Sequence, residues 1–505
     1  MLTREAASRK ARHAPINMTG ADFRAAGHEL VERIAGWLES MPEGPLVRDE
    51  AAADVRAVLG ADSPLPVAGA DGATLLADTT ELLFRHSLFN GHPRFFGYIT
   101  SSPAPIGALA DLLASAINQN VGAWRLSPMA TEIEAQTIRW IAEFIGLPRE
   151  TGGLLVSGGN MANFVCLLAA RAAKAPATVR ASGLRALPQP LRLYASSETH
   201  TWIQKAADLF GLGTDAIRWI AVDGEQRMDA AALEAQIVAD RAAGDLPFLV
   251  VGTAGTVSTG AVDPLAAIAD ICRRHDVWFH VDGAYGALAA RVPGAPADLR
   301  ALVDADSVAV DPHKWLYAPL EAGCVLVRRP GDLLRAFSYH PDYYHFDHGV
   351  TNYFDYGPQN SRGFRALKVW LALRQAGSSG ALQMIADDMR LSRELHEHVS
   401  RHPEFQALSQ HLSIATFRYV PRDRQAGDTA DEEYLSRLNQ LLLSRVEASG
   451  TMFLSSAVVG GRFALRACIV NFRTTSEDVA AVPGILARLG READRALRNG
   501  ESASA

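Results

Sequence analysis

Over residues 22–38 the apolar positions Phe23, Ala26, Leu30, Ile34, Trp37 and Leu38 recur at helical spacing, which predicts an amphipathic helix ahead of the main body. Its apolar face must be covered, either by docking on its own subunit or by a subunit interface, and spacing alone does not separate the two. The Pro/Gly/Ala-rich residues 63–73 predict a connecting loop. Between Gly152 and Arg328 seven short apolar or β-rich runs follow: 154–157, 191–195, 217–222, 248–253, 277–281, 307–310 and 324–327. Helical patterns separate most of them. Such alternation predicts an α/β fold with a largely parallel seven-stranded sheet, covered on both faces and binding ligands at the carboxyl ends of its strands. After a helix-like stretch at 364–375 and a Gly-Ser-Ser-Gly break at 377–380, strands at 413–419 and 463–470 alternate with long helices, the pattern of a smaller α+β domain. The predicted organisation is an N-terminal helical segment over 1–95, a large domain over 96–380 and a C-terminal domain over 381–505. Residues 500–505 are polar and expected to fray.

At 505 residues the chain exceeds what one core supports, and 48% hydrophobic residues suffice for two or three lobes. A net charge of -7, with no long Lys/Arg cluster interleaved with aromatics, argues against nucleic acid or an anionic membrane surface and for a small-molecule partner. The four cysteines, Cys166, Cys272, Cys324 and Cys468, form no CxxC pair, so they read as reduced packing residues and point to the cytoplasm. Arg4, Arg9, Lys10 and Arg12 precede no apolar segment, and no window approaches a membrane span.

The chemistry gathers at strand ends. Ser157-Gly158-Gly159-Asn160 follows the first strand and opens a helix, placing free backbone N–H groups where a phosphate can sit; the competing account is a tight turn. His200 lies a few residues beyond the second strand, where an imidazole can stack on a flat ring and help orient a carboxylate, or simply pack. The small residues of Gly252-Thr253-Ala254-Gly255-Thr256-Val257 permit close approach of backbone and the Thr256 hydroxyl to a ligand. Asp282 ends an apolar strand and needs a cationic partner, either a pyridinium or a structural salt bridge. Lys314, in Asp311-Pro312-His313-Lys314-Trp315 after another apolar run, is a cation in the same predicament, and a Schiff base with an aldehyde cofactor removes its charge. Lysine and aspartate on neighbouring strand ends describe a pyridoxal phosphate site.

His92-Pro93 with Phe95-Phe96 and Tyr98, Ser127-Pro128 with Thr131-Glu132, His200, Gly255-Thr256, residues 280–285, His313-Lys314-Trp315 and residues 362–370 resemble the pyridoxal-dependent group II decarboxylases, nearest to the aromatic-L-amino-acid type. The resemblance runs in order from about Asp22 to Arg466. It implies a fold-type I enzyme, homodimeric, that decarboxylates an L-amino acid, expected to be aromatic, to its amine. It further implies that pyridoxal 5'-phosphate is held covalently at Lys314, with Asp282 on the pyridine nitrogen, His200 on one ring face and Ala284 on the other. Gly158, Gly159, Asn160 and His313 are implied as phosphate ligands, with Thr256 and Asp311 at the cofactor. Tyr98, Asn120, Trp124 and Arg466 are implied around the substrate. Tyr343 aligns with the tyrosine that protonates the carbanion, and phenylalanine there marks aldehyde synthases that consume oxygen. His340, His345, Asp347 and His348 have no second ligand cluster that would make a metal site. The chain departs from the pattern in four places: Gly-Gly-Asn replaces small hydroxyl residues in the phosphate loop, Asp311 replaces asparagine, residues 118–124 are smaller and more polar, and Ile99-Thr100-Ser101 differs. The rival readings are an oxygen-dependent aldehyde synthase and a noncatalytic homologue retained as a scaffold.

Overall fold

The computed structural model describes residues 14–339, 349–424, 427 and 429–500. It divides into two units, the first made of the chain up to Phe89 with Ala448–Thr451 and the second of the remainder. In the first unit the expected amphipathic helix spans Gly20–Ser40, capped by the Thr19 hydroxyl, which accepts from the Asp22 N–H at 3.1 Å. Trp37 stacks on Phe84 at 5.1 Å and meets Phe89 edge-on at 5.2 Å, so part of the apolar face is used within the unit, while Phe23 and Val31 stay exposed. The loop expected over 63–73 ends early because Asp71 caps a helix, Gly72–Arg85, through the Thr74 N–H.

The second unit carries two sheets. Seven strands, β1 (Gly152–Val156), β2 (Leu191–Ser196), β3 (Ile217–Ile220), β4 (Leu246–Thr253), β5 (Trp278–Asp282), β6 (Ser307–Val310) and β7 (Gly323–Val327), assemble in the order β1-β7-β6-β5-β4-β2-β3. Pairing is parallel from β3 through β6, whereas β7 runs antiparallel to both β6 and β1. Parallel strands need helical crossovers that cover both faces, and almost every residue of β1, β2, β4, β5, β6 and β7 is accordingly buried. The smaller sheet has four strands, β8 (Phe405–His411), β9 (Ile414–Tyr419), β10 (Ser455–Val459) and β11 (Arg462–Cys468), in the order β10-β11-β9-β8 and all antiparallel.

The expected break is present but short: Ala366–Arg401 is two helices that meet at Gly377, whose φ of 67° and ψ of 167° are non-helical and suit glycine, and the second helix resumes directly after it. The boundary expected between residues 380 and 381 therefore falls inside a helix. A buried pair fastens the start of the large sheet: Arg362 Nη2 donates to Glu134 Oε1 at 2.5 Å and to the Leu155 carbonyl at 2.6 Å, and Glu134 Oε1 also accepts the Leu155 N–H at 2.8 Å.

Candidate active site

The parallel register brings the expected groups to one edge. Thr253, the last residue of β4, pairs with Asp282, the last of β5, and Asp282 pairs with Ala309 on β6, two residues before Asp311. Asp282 is buried. Its Oδ2 accepts the Trp202 indole N–H at 2.7 Å and its Oδ1 the Ala284 N–H at 3.2 Å, and no cation pairs with it among the described residues. The structural salt bridge that competed with a pyridinium partner is thus absent there. A buried carboxylate held only by neutral donors remains ready for one cationic hydrogen-bond donor.

Lys314 sits on a one-turn helix, Pro312–Trp315, that follows β6, and its Nζ lies 3.0 Å from Asp311 Oδ2. Asp311 is 2% exposed, and its Oδ1 has no partner among the described residues. The same carboxylate borders the expected phosphate loop: a Cβ placed on Gly159 would meet Asp311 Oδ2 at 2.6 Å. Gly158 has φ +83° and precedes the helix Gly159–Lys174, whose first-turn N–H groups have no intrahelical acceptor, and Asn160 is half-buried in that turn. Glycine is required at the facing position too, since a Cβ on Gly323 would lie 2.5 Å from the Gly158 carbonyl oxygen. His313 lies along Gly158, with its Nδ1 2.7 Å from the Ala322 carbonyl, and burial lowers its pKa and keeps it neutral. Ala284 is buried between the two acids, linked to Asp282 through its N–H and to Asp311 through its carbonyl, which accepts the Asp311 N–H at 3.1 Å.

His200 stands open at the edge beyond β2. Its Nδ1 accepts the Trp202 backbone N–H at 3.2 Å, and surrounding protein lowers its pKa by desolvation, so the neutral ring carries its proton on Nε2. Thr256 behaves differently from its assignment: the side chain is fully buried, its hydroxyl pairs with Thr259 at 2.9 Å, and it accepts the Ala261 N–H at 3.2 Å. It shapes the turn after β4 instead of offering its hydroxyl. The unspent hydroxyl is that of Thr253, buried without a partner among the described residues, and residue type alone did not distinguish it from its neighbours.

Of the four residues expected around a substrate, two connect to the lysine loop. The Tyr98 carbonyl accepts from Arg466 Nη1 at 3.2 Å, and Ser101, three residues on, donates to the His313 carbonyl at 2.7 Å. Arg466, on β11, is buried, and its Nε and Nη2 find no acceptor among the described residues, an arrangement suited to a carboxylate. Asn120 and Trp124 are tied elsewhere: Asn120 Oδ1 accepts from Gly122 and Arg362, and the Trp124 indole donates to Glu132 at 2.9 Å. Tyr343 and the histidines around it fall outside the described residues.

Two further residues shape the lysine loop from a distance. Asp388, on the helix that follows Gly377, is fully buried, and its Oδ2 accepts from the Trp315 indole at 2.8 Å and the Tyr317 hydroxyl at 2.6 Å. Tyr285 stacks on Trp315 at 4.5 Å, and its hydroxyl meets Ser413 at 2.5 Å. A buried carboxylate awaiting a cation at the end of β5, a lysine just beyond the adjacent β6 and an N-terminal helix turn fit an aromatic aldehyde bearing a basic ring nitrogen and a phosphate.

Comparison with known proteins agrees with this geometry. The pyridoxal-dependent decarboxylase conserved domain matches residues 60–420. Aromatic-L-amino-acid decarboxylase of Bacillus atrophaeus is 32% identical, over 92% of this chain and 95% of its own. Phenylacetaldehyde synthase of Arabidopsis thaliana is 28% identical, over 91% of this chain and 94% of its own. The crystal structure of Oryza sativa TDC with PLP and tryptamine superposes with a TM-score of 0.87 at 27% identity, covering 95% of this chain and 99% of that one. The residues at this sheet edge and the length of the match lead to one conclusion: the chain belongs to the pyridoxal-dependent decarboxylase family.

Proposed function

We propose that the protein is a pyridoxal phosphate-dependent carboxy-lyase that converts an aromatic L-amino acid into its amine and carbon dioxide, with the roles given below. The observation that carries the reading is that Asp282, buried and without a cation among the described residues, ends β5 while Lys314 follows the end of the adjacent β6. Lys314 is the attachment point for the cofactor aldehyde. Asp282 holds a proton on the ring nitrogen, which makes the bound cofactor an electron sink for the pair left behind by carbon dioxide. His200 lies on one ring face and Ala284 on the other, while Gly158, Gly159, Asn160 and His313 receive the phosphate. Asp311 sits at the rim of that phosphate site, and Thr253 rather than Thr256 supplies the free hydroxyl near Asp282. Arg466 with Tyr98 faces the substrate. Asn120 and Trp124 serve it by organising the segment that includes Gly122. With the cofactor bound, His200 would orient the substrate carboxylate for its loss. Tyr343 returns the proton to the same carbon.

The working unit is proposed to be a homodimer. Leu109, Leu112, Leu113 and Ile117 form an exposed stripe at helical spacing on Pro105–Ile117, Leu126 and Met129 further along the chain are exposed too, and such a stripe calls for a partner. The cytoplasm is the proposed compartment, on the ground that all four cysteines are buried and unpaired.

The test is a substrate panel of aromatic, acidic and basic amino acids with the cofactor-loaded enzyme, reading carbon dioxide, amine, aldehyde and peroxide. The proposal expects carbon dioxide and amine in equal amounts from an aromatic member. Stoichiometric peroxide and aldehyde would transfer the chain to the aldehyde-synthase reading, and no carbon dioxide from any member would leave the noncatalytic one.

A further inference from the structure

His200 and Asp282 belong to different parts of the sheet edge. His200 follows β2, Asp282 ends β5, and β4 lies between those strands. One residue reaches both. Trp202 is the first residue of the helix Trp202–Leu209; its backbone N–H donates to His200 Nδ1 at 3.2 Å, and its indole N–H donates to Asp282 Oδ2 at 2.7 Å. The side chain is completely buried. Its ring is held edge-on against His280 at 5.8 Å and 88°. His280 is itself fixed, with Nε2 2.7 Å from Asn163 Oδ1 and Nδ1 2.9 Å from Ser307 Oγ, and burial lowers its pKa to about 4, so it is a neutral wall rather than a competing charge.

We infer that Trp202 is the positioning residue of this site: a single side chain sets the rotation of the Asp282 carboxylate while its own main chain sets the imidazole of His200. The inference rests on the cofactor reading above and deepens it, because the two groups meant to engage one flat ring, one at its edge and one on its face, take their relative placement from the same residue. With Oδ2 engaged by the indole and Oδ1 by the Ala284 N–H, the carboxylate plane is fixed before any ligand arrives. Each oxygen keeps a lone pair for the ring N–H. A charge-assisted bond inside a dry site is a strong restraint, and its loss would leave Oδ2 buried and free to turn.

The test compares Trp202→Phe with Asp282→Asn and wild type, all loaded with pyridoxal phosphate. Phenylalanine keeps a ring in the cavity and leaves the main-chain donor to His200 in place. Trp202→Phe is expected to bind cofactor roughly tenfold more weakly by absorbance titration, to shift the bound-cofactor absorption band, and to lower kcat roughly tenfold with KM within twofold. Cofactor affinity, band position and kcat all within twofold of wild type would overturn the inference. Should Trp202→Phe fail to fold, wild type labelled with 15N-tryptophan decides the matter. The Trp202 indole resonance should move on adding pyridoxal phosphate and move again in Asp282→Asn, and a resonance indifferent to both would overturn it. Asp282→Asn that binds and turns over like wild type would instead overturn the cofactor reading. Loss in Asp282→Asn with an unaffected Trp202→Phe sinks the role of Trp202 alone.

Discussion

Asp388→Asn should stabilise the protein progressively as pH rises. Asp388 is wholly buried, and desolvation pushes its carboxyl up to about 7 from 3.8, against the opposing hydrogen bonds from Tyr317 and Trp315. The sign follows from which state holds the proton. Between pH 4 and 7 the unfolded chain has released it while the folded chain retains it, so folding loses stability as pH rises through that window. At about 1.4 kcal/mol per pKa unit, the full penalty above pH 7 is about 4 kcal/mol, of which roughly 2–3 kcal/mol accrues between pH 5 and 8. Asparagine carries no such penalty. Both donors reach the same oxygen, Oδ2, so an amide oxygen in that place keeps the Trp315 and Tyr317 bonds. Any loss of the Asn471 N–H bond that helps hold the carboxylate adds a cost independent of pH. The prediction therefore concerns slope rather than level. With an unfolding entropy of about 2 cal/mol/K per residue, 505 residues give roughly 1 °C per kcal/mol. The thermal midpoint of Asp388→Asn minus that of wild type should accordingly rise by about 2–3 °C from pH 5 to 8. Scanning calorimetry of both proteins across that range measures it, and a difference that stays flat or shrinks would refute the argument.

Asp311→Asn should bind pyridoxal phosphate roughly tenfold more tightly, because it removes a carboxylate that borders the phosphate loop at Gly159; unchanged or weaker affinity in an absorbance titration contradicts this. Arg362→Met should cost about 3–5 kcal/mol in urea unfolding by leaving Glu134 buried and unpaired, and a cost below about 1 kcal/mol would show that the pair does not anchor β1. Leu112→Asp combined with Leu113→Asp should turn a dimer into a monomer in sedimentation velocity, and a persistent dimer would place the interface elsewhere.

The large sheet is legible in the sequence because strands buried on both faces are written as unbroken apolar runs, as in Phe248 to Val251 and Ser307 to Val310. The edge strand β8 is not, since Gln406, Ser409, Gln410 and His411 are half-buried polar residues that look like loop. Strand direction is equally hidden: nothing local to residues 323–327 announces that β7 runs against β6, because that is decided by where the preceding turn sends the chain. At Gly377 the loop-like composition does mark a break between two helices, but only that glycine leaves helical geometry and the residues after it resume a helix. Within the site, Lys314 and Asp282 are visible because a charge closing an apolar strand is a local anomaly. Trp202, Thr253 and Asp388 carry no such anomaly. A buried tryptophan, threonine or helical aspartate is ordinary until the fold shows which atom it reaches, and Trp202 lies 80 residues from Asp282 and Asp388 73 from Trp315.

Reductive trapping identifies the lysine that captures the cofactor without reference to turnover. Borohydride treatment of the cofactor-loaded enzyme, followed by proteolysis and mass spectrometry, should place a single pyridoxyl group on the peptide containing Lys314 and none in Lys314→Ala. A pyridoxyl group on Lys174, Lys205 or Lys368 in place of Lys314, or undiminished labelling in Lys314→Ala, would contradict the account.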